Sequence, residues 1–351
     1  MDAIRVVHWG LGAMGRGIAR LVNEKAGLSS VGAFDRDPGK LGRDLADVLN
    51  LTGKLDVVVT EPPRNGGGFP SADIVVIATS SFTKEVFNQI KVSAEAGLNV
   101  ITIAEEMAFP AAGEEKLAAQ IDEIAKTRGV SVLGTGINPG FVLDTLVIAL
   151  TGPCLRVNKI TASRINDLSP FGPTVMATQG VGTTPEEFEA GLASGKIVGH
   201  VGFQQSIAMI ARALGWDIDE VRETREPILS KVRRQTAYAV VEPGQVAGCR
   251  HTARGLSKGR VLIELIHPQQ ILPQLEGVET GDYINIEGEP DISVKIQPEI
   301  PGGLGTMAMA VNMIPQVITA PVGLLSMADL PVPAALAGDV RRLVEMRGGR
   351  K

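Results

Sequence analysis

Two adjacent carboxylates, Glu105 and Glu106, follow the apolar run Asn99-Val100-Ile101-Thr102-Ile103 after a single alanine, Ala104. An acid at a strand end can take and return a proton beside a reacting carbon. Neighbouring side chains of extended backbone point to opposite faces, so one Glu is expected in a cleft and the other in a structural role. Glu106 is the first choice and Glu105 the second; the competing role for either is a solvated acid near a helix N-terminus. Arg164 and Asn166 alternate in Ser163-Arg164-Ile165-Asn166-Asp167, so both project from one face of a strand and can bind a carboxylate and an amine or carbonyl. The competing arrangement is a surface ion pair of Arg164 with Asp167. His200 lies in a turn flanked by Gly199 and Gly202 and is the best pocket candidate among the four histidines; His8, His251 and His267 read as hydrogen-bonded structural residues.

A second group of residues supplies a phosphate site. The run Ile4-Arg5-Val6-Val7-His8-Trp9 leads into Gly10-Leu11-Gly12-Ala13-Met14-Gly15 and then a helix from about residue 13 to 22. In this G-x-G-x-x-G order the first glycine allows the turn, the second lets backbone approach a pyrophosphate, and the third lets the helix pack on the strand. Helix N–H groups then face the phosphates. A second apolar run, 30–34, ends at Asp35, 20 residues after Gly15, where a carboxylate can accept the hydroxyls of an adenosine ribose. Arg36 follows and can pair with a 2′-phosphate, so NAD and NADP both stay open.

Three further strand ends bear on such a site. Ala78-Thr79-Ser80-Ser81 offers small and hydroxyl groups, with Thr79 and Ser80 assigned to the cofactor. Gly134-Thr135-Gly136-Ile137-Asn138-Pro139-Gly140 is a glycine-rich turn at the expected domain crossover, with Asn138 also on the cofactor side. Thr306 opens a helix that is expected to return to the first domain.

The elements that must position these residues alternate over the first 135 positions. Strands are expected at 56–60, 73–78, 99–103 and 130–133, with helices at about 41–49, 83–96 and 114–127. That alternation predicts an α/β fold with a Rossmann-type, doubly wound parallel sheet. The tract Asn65-Gly66-Gly67-Gly68 reads as a surface connector. After Pro139 the pattern changes to helices at 142–150, 186–195 and 204–214 and strands at 157–165, 232–241, 245–254, 260–267, 282–286 and 292–296. Strand following strand predicts a second, α+β domain for substrate binding and dimerisation. Helices at 306–318 and 333–345 are expected to return to the first domain. The predicted division is 1–138 with 305–351 for the dinucleotide-binding domain and 139–304 for the other.

Composition narrows the function. A chain of 351 residues with a net charge of −5 has no basic surface for nucleic acid. No apolar run is long enough to cross a membrane, and the first strand begins within four residues of the N-terminus, so a cytoplasmic protein is expected. Cys154 and Cys249 lack the spacing of metal or disulfide motifs, so no metal is expected.

The G-L-G-A-M-G turn, Ala104-Glu105-Glu106-Met107-Ala108-Phe109-Pro110, the 134–140 turn, Ser169-Pro170-Phe171-Gly172-Pro173 and Pro301-Gly302-Gly303-Leu304-Gly305-Thr306 together resemble the 2,4-diaminopentanoate dehydrogenases. The resemblance runs over essentially the whole chain. It takes in the native amine dehydrogenases, whose fold is similar to that of dihydrodipicolinate reductase. It implies an NAD(P)-dependent oxidoreductase acting on CH–NH2 donors, in amino-acid (ornithine) catabolism. The implied reaction turns the C4 amine of 2,4-diaminopentanoate into 2-amino-4-oxopentanoate and ammonia, reversibly. The resemblance puts acid–base work on the Glu105-Glu106 pair, substrate contacts on Arg164, Asn166, His200 and Thr306, and implies a homodimer. The His-His pair and Lys…Asp-Ala-Pro-Ser-Gly-Thr segment of dihydrodipicolinate reductases are absent. Homoserine-dehydrogenase-like enzymes carry Asn-Lys where this chain has Glu105-Glu106, an inversion of charge that suits a cationic amine. The competing functions are an amine dehydrogenase for another amine or ketone and a non-catalytic NAD(P)-binding regulator.

Overall fold

The computed structural model describes residues 2–64 and 66–348, and the chain divides into two compact units, 1–141 with 301–351 and 142–300. Asn65 of the glycine tract and residues 349–351 of the C-terminal segment lie outside the described residues.

The first unit is built on β1 (Ile4–Trp9), β2 (Leu28–Phe34), β3 (Val59–Thr60), β4 (Ile74–Ile77), β5 (Asn99–Thr102) and β6 (Ser131–Gly134). With the strand Gly323–Leu325 they form a seven-stranded sheet in the order 323–325, β6, β5, β4, β1, β2, β3. Every pairing is parallel. All four residues of β4 and of β6 are buried, as expected of strands covered on both faces. Helices α1 (Ala13–Glu24), α2 (Leu45–Leu49), α3 (Thr83–Glu95) and α4 (Glu115–Arg128) connect them. In α1 the buried positions are Gly15, Ile18, Ala19 and Val22, the i, i+3, i+4, i+7 stripe of a helix lying on a sheet. The order reverses between β1 and β4, and ligands of doubly wound sheets bind at that switch point, beyond the carboxyl ends of the strands. The helix Gly302–Asn312 returns to pack on α1, where Gly17 leaves the space that Met307 fills.

The second unit contains α5 (Thr145–Thr151), β7 (Arg156–Asp167), α6 (Pro173–Thr178), α7 (Pro185–Ala193) and α8 (Phe203–Leu214). The strands β8 (Glu220–Leu229), β9 (Arg234–Gln235), β10 (Val240–Val241), β11 (Val246–Ser257), β12 (Arg260–Gln270), β13 (Gly281–Glu289) and β14 (Ile292–Ile296) follow. Six of them form a sheet in the order β14, β13, β7, β12, β11, β8, and β9 pairs with β10 in a separate ribbon. Only β12 and β7 run parallel in the larger sheet, so it is mixed, and the α/β fold with a second α+β domain is as expected.

Several elements differ from the sequence expectation for local reasons. The edge strand β8 carries Glu-Val-Arg-Glu-Thr-Arg-Glu, largely solvent-exposed, and edge strands need no apolar alternation on both faces. The run at 232–241, expected as one strand, forms only the two-residue strands β9 and β10. The helix expected at 306–318 is two helices, Gly302–Asn312 and Ile314–Ile318, with Pro315 at the start of the second; a proline there has no N–H to continue the first. The last helix begins at Val340 rather than 333, after a stretch with Pro331, Pro333 and Gly338, which resist helix.

Candidate active site

β1 delivers the chain to Gly10, which turns with φ +93°. A Cβ at Gly10 would lie 2.6 Å from the Ala78 carbonyl oxygen, and one at Gly15 would lie 1.8 Å from the Gly10 carbonyl oxygen. Both glycines therefore serve close packing of the turn against β4 and α1. Gly12 is different: its φ is −67° and a Cβ there would meet nothing within 4 Å. It caps α1 with no side-chain hydrogen bond, and the first turn carries no acid. First-turn N–H groups have no carbonyl one turn back to bind, so open space lies beside helix donors. Such a start can accept a pyrophosphate, and the residues present fit a dinucleotide.

The second ribose-side element comes from β2. The Leu11 N–H donates to Asp35 Oδ2 at 2.7 Å, joining the glycine turn to the end of β2, while Arg36 is exposed. Ala13 is exposed and Met14 half-buried on the first turn of α1. After β4, the Thr79 hydroxyl donates to Gln89 Oε1 at 2.7 Å and the Ser80 hydroxyl donates to Glu85. Both hydroxyls are thus held by α3.

Glu105 and Glu106 lie in a one-turn 3-10 helix, Glu105–Ala108, not in extended backbone. The opposite-faces argument therefore does not apply to them. Glu106 Oε2 accepts the Thr83 N–H at 2.8 Å, and its own N–H donates to the Ser81 carbonyl at 3.1 Å. No side chain of the preceding residue, Phe82, caps α3, so Glu106 closes that helix start from a distance. Glu105 has a different environment. Burial pushes its carboxyl above the ordinary carboxylate range, against a hydrogen bond from the Ser81 side chain that favours the ionised form. It is a desolvated acid at the end of β5 with one hydroxyl partner.

Beyond β6, the Thr306 hydroxyl accepts the Ile137 N–H at 3.2 Å, beside Asn138 in the same turn. A Cβ on Gly136 would stand 3.7 Å from that hydroxyl.

In the second unit a buried polar cluster gathers on β7, β11, β12 and the loop before α8. Arg164 and Asn166 share the inward face of β7 and are both buried. The Arg164 guanidinium donates to Asp282 Oδ1 at 2.6 Å and to the Ile300 carbonyl, and Asp282 Oδ2 accepts the Ile300 N–H at 2.9 Å. The pairing with Asp167 does not form, because Asp167 accepts from Ser169 and Leu272 instead. Burial raises Asp282, with Arg164 opposing. Breaking such a buried pair from one side leaves an uncompensated charge. Asp282→Ala is expected to lower unfolding free energy by about 3–5 kcal/mol, read from denaturant unfolding; a change below about 1 kcal/mol would mean the guanidinium finds other partners.

Asn166 Oδ1 lies 3.0 Å from His267 Nε2, and the His267 ring meets His200 edge-on at 4.9 Å between centroids. His200 Nε2 is buried with no hydrogen-bond partner. Burial, then the neighbouring His251 and Arg164 charges, push His200 down to about 3, so its imidazole is neutral at pH 7. The loop is fixed from behind: the His200 N–H donates to His251 Nδ1 at 3.0 Å, and His251 Nε2 lies 3.1 Å from Glu223 Oε2. Acceptance at Nδ1 puts the His251 proton on Nε2, toward Glu223. Burial raises Glu223, but the His251 hydrogen bond and the Arg225 charge outweigh it and hold the acid at about 2. His200 is thus a neutral imidazole with one free ring nitrogen, packed against the His267 ring that Asn166 holds. Among the described residues no three His, Cys, Asp or Glu side chains form a metal site.

Residues 141–346 match the family model of the 2,4-diaminopentanoate dehydrogenase C-terminal domain. The chain is 47% identical to 2,4-diaminopentanoate dehydrogenase from Acetoanaerobium sticklandii, covering 98% of each protein. It belongs to the 2,4-diaminopentanoate dehydrogenase family. An amine dehydrogenase from Streptomyces virginiae is 26% identical over 95% of this chain and 98% of that protein. The solved amine dehydrogenase of Mycobacterium smegmatis superposes with a TM-score of 0.81 at 27% identity, covering 94% of this chain and 97% of that one.

In this member of the diaminopentanoate dehydrogenase family, His251 and His267 are hydrogen-bonded as expected, while the sequence reading gave no part to Glu223 as a partner of His251 or to Ser81 as a partner of Glu105. His251 and His267 are direct cross-strand partners in β11 and β12, a juxtaposition that only the register reveals. His8, by contrast, is a core residue whose Nε2 lies 2.8 Å from Ser30 Oγ, and burial lowers it to about 4.

Proposed function

We propose that the protein is an NAD(P)-dependent dehydrogenase that oxidatively deaminates the C4 amine of 2,4-diaminopentanoate, giving 2-amino-4-oxopentanoate and ammonia, with the reverse reductive amination open to it. The observation that carries this reading is the half-buried Glu105 carboxylate at the start of the turn that leaves β5, beside the Ser81 hydroxyl, in a chain of this family. When bound, the nicotinamide accepts a hydride. The Gly10–Gly15 turn holds the dinucleotide, with Asp35, Arg36, Thr79, Ser80 and Asn138 around it.

Glu105 takes a proton from the substrate ammonium, because only a free lone pair can stabilise the iminium left when C4 gives up hydride. It passes that proton to solvent, and its regained charge stabilises the iminium; it then moves a proton from the water that adds to C4 onto the carbinolamine nitrogen and takes up the hydroxyl proton as that nitrogen departs. Ammonia leaves as the C–N bond breaks and the ketone forms. His200 and Asn166 recognise the α-amino acid end of the substrate, with Arg164, committed to Asp282 and the Ile300 carbonyl, supporting the strand that carries Asn166, and Thr306 holds the Gly136–Ile137 turn. The same reading carries a small-molecule enzyme of the cytoplasm that works as a homodimer. No helix among the described residues is long and apolar enough to cross a membrane.

The test is the appearance of reduced nicotinamide with 2,4-diaminopentanoate and either cofactor, alongside a panel of monoamines and diamino acids. Turnover highest with 2,4-diaminopentanoate is expected; faster turnover of a simple amine without a carboxylate would reject the substrate assignment. A pH prediction follows from Glu105. The base works ionised, so kcat falls as pH drops through its raised pKa, above the ordinary carboxylate range. Ser81→Ala removes the hydrogen bond that lowers this pKa and is expected to move the acid limb of kcat to higher pH. An unmoved limb would count against Glu105 as the titrating base.

A further inference from the structure

The end of β2 is arranged in a way that a simple ribose-binding acid would not need. Asp35 already accepts four hydrogen bonds. Leu11 N–H and Lys40 Nζ donate to Oδ2 at 2.7 and 3.1 Å, and the Arg36 and Asp37 N–H groups donate to Oδ1 at 2.8 and 2.9 Å. A carboxylate offers about four lone-pair sites, so none is left over for a ribose diol unless one of these donors withdraws. Three are backbone N–H groups fixed by the turn and the strand end; the mobile one is Lys40.

The Lys40 ammonium also lies 3.3 Å from Asp37 Oδ2, and its side chain is only 20% exposed. Asp37 is in turn held by the Gly39 N–H at 2.9 Å. Lys40 is therefore seated between two acids at the place where the adenosine ribose must come, with the exposed Arg36 beside them. The two acids and two bases sum to zero charge. Without Lys40 the same surface carries a net negative charge and one vacant acceptor, which suits hydroxyls and repels phosphate.

We propose that Lys40 is the residue that sets cofactor selectivity, by occupying the Asp35 acceptor that a ribose hydroxyl would use and by offering its ammonium to a 2′-phosphate, so that the enzyme takes NADP. This rests on the Gly10–Gly15 turn being the cofactor site. Arg36 is the second cation of the pair, and its exposed guanidinium reaches the phosphate from solvent, whereas Lys40 acts on the acid and the phosphate together.

The test is direct binding of NADPH and NADH, by fluorescence titration, to the whole protein and to Lys40→Met and Lys40→Arg. Calorimetry with 2′,5′-ADP against 5′-AMP reads the same difference without the nicotinamide. Lys40→Met is expected to weaken NADPH and 2′,5′-ADP by at least about tenfold, the scale of one charge-assisted hydrogen bond, while NADH binds as well or more tightly. Lys40→Arg keeps the charge and is expected to retain NADPH. Equal shifts for both dinucleotides in Lys40→Met, or none in either, would overturn the proposal. Undiminished binding of both by Gly12→Asp would instead overturn the cofactor site on which it rests.

Discussion

Glu105→Gln is expected to lower turnover at least ~100-fold, the usual scale for loss of a general base, while dinucleotide binding stays as in the unmodified protein. The amide keeps the size of the side chain and its contact with Ser81 but can neither take the ammonium proton nor stabilise an iminium by charge. Glu106→Gln is the informative partner. Its amide oxygen can still accept the Thr83 N–H that Glu106 now accepts at 2.8 Å, so α3 keeps its start and turnover should fall less than ~10-fold. Glu106→Ala removes that acceptor and is expected to cost about 1 kcal/mol of stability, as helix caps do, read as a fall in Tm. A ~100-fold loss in Glu106→Gln with near-normal Glu105→Gln would reverse the two roles.

Gly12→Asp separates folding from binding at the opposite end of the site. The backbone there is compatible with any L residue, and a side chain meets nothing within 4 Å. An aspartate would cap α1, which has no side-chain cap, and set its charge at the positive end of the helix, a gain of about 0.5–1 kcal/mol. The same carboxylate would fill and electrostatically oppose the pyrophosphate position. An unchanged or higher Tm together with at least ~100-fold weaker NADH binding is the expected pair of results, given that a phosphate contact at a helix N-terminus is charge-assisted. A protein that binds NADH normally would move the cofactor away from this turn.

The contrast between Glu105 and Glu106 marks where sequence stops being legible. The glycine turn and its strand could be read because each glycine answers a contact that short-range geometry already imposes. The parallel sheet could be read because its strands are apolar on both faces. The carboxylate pair was legible as chemistry but not as geometry. The chain leaves β5 through a 3-10 turn, so the expectation that the two acids point to opposite faces, which needs extended backbone, does not apply to them. The second unit was harder still. Glu220–Leu229, given no element from the sequence, is a strand only because it pairs on the edge of β11, and the His251–Glu223 contact needs both strands in register. His200 could be picked out by its flanking glycines, yet the His251 nitrogen that accepts its N–H and the His267 ring packed against it lie 51 and 67 residues further along the chain.

The dinucleotide-binding unit is assembled from both ends of the chain, because Gly323–Leu325 pairs with β6 and Gly302–Asn312 packs on α1. During synthesis, residues 1–141 therefore emerge with the β6 edge and one side of α1 bare, and they wait for more than 150 residues of the other unit before these are covered. Long-range closure of this kind slows folding and leaves an edge open to pairing with other chains. A ribosome stalled between the two segments would hold an aggregation-prone nascent chain, and a protease cut near residue 300 would release one. Quality control of this enzyme is thus decided late, by the segment 301–325, although the Gly10–Gly15 turn of the same unit is made long before it.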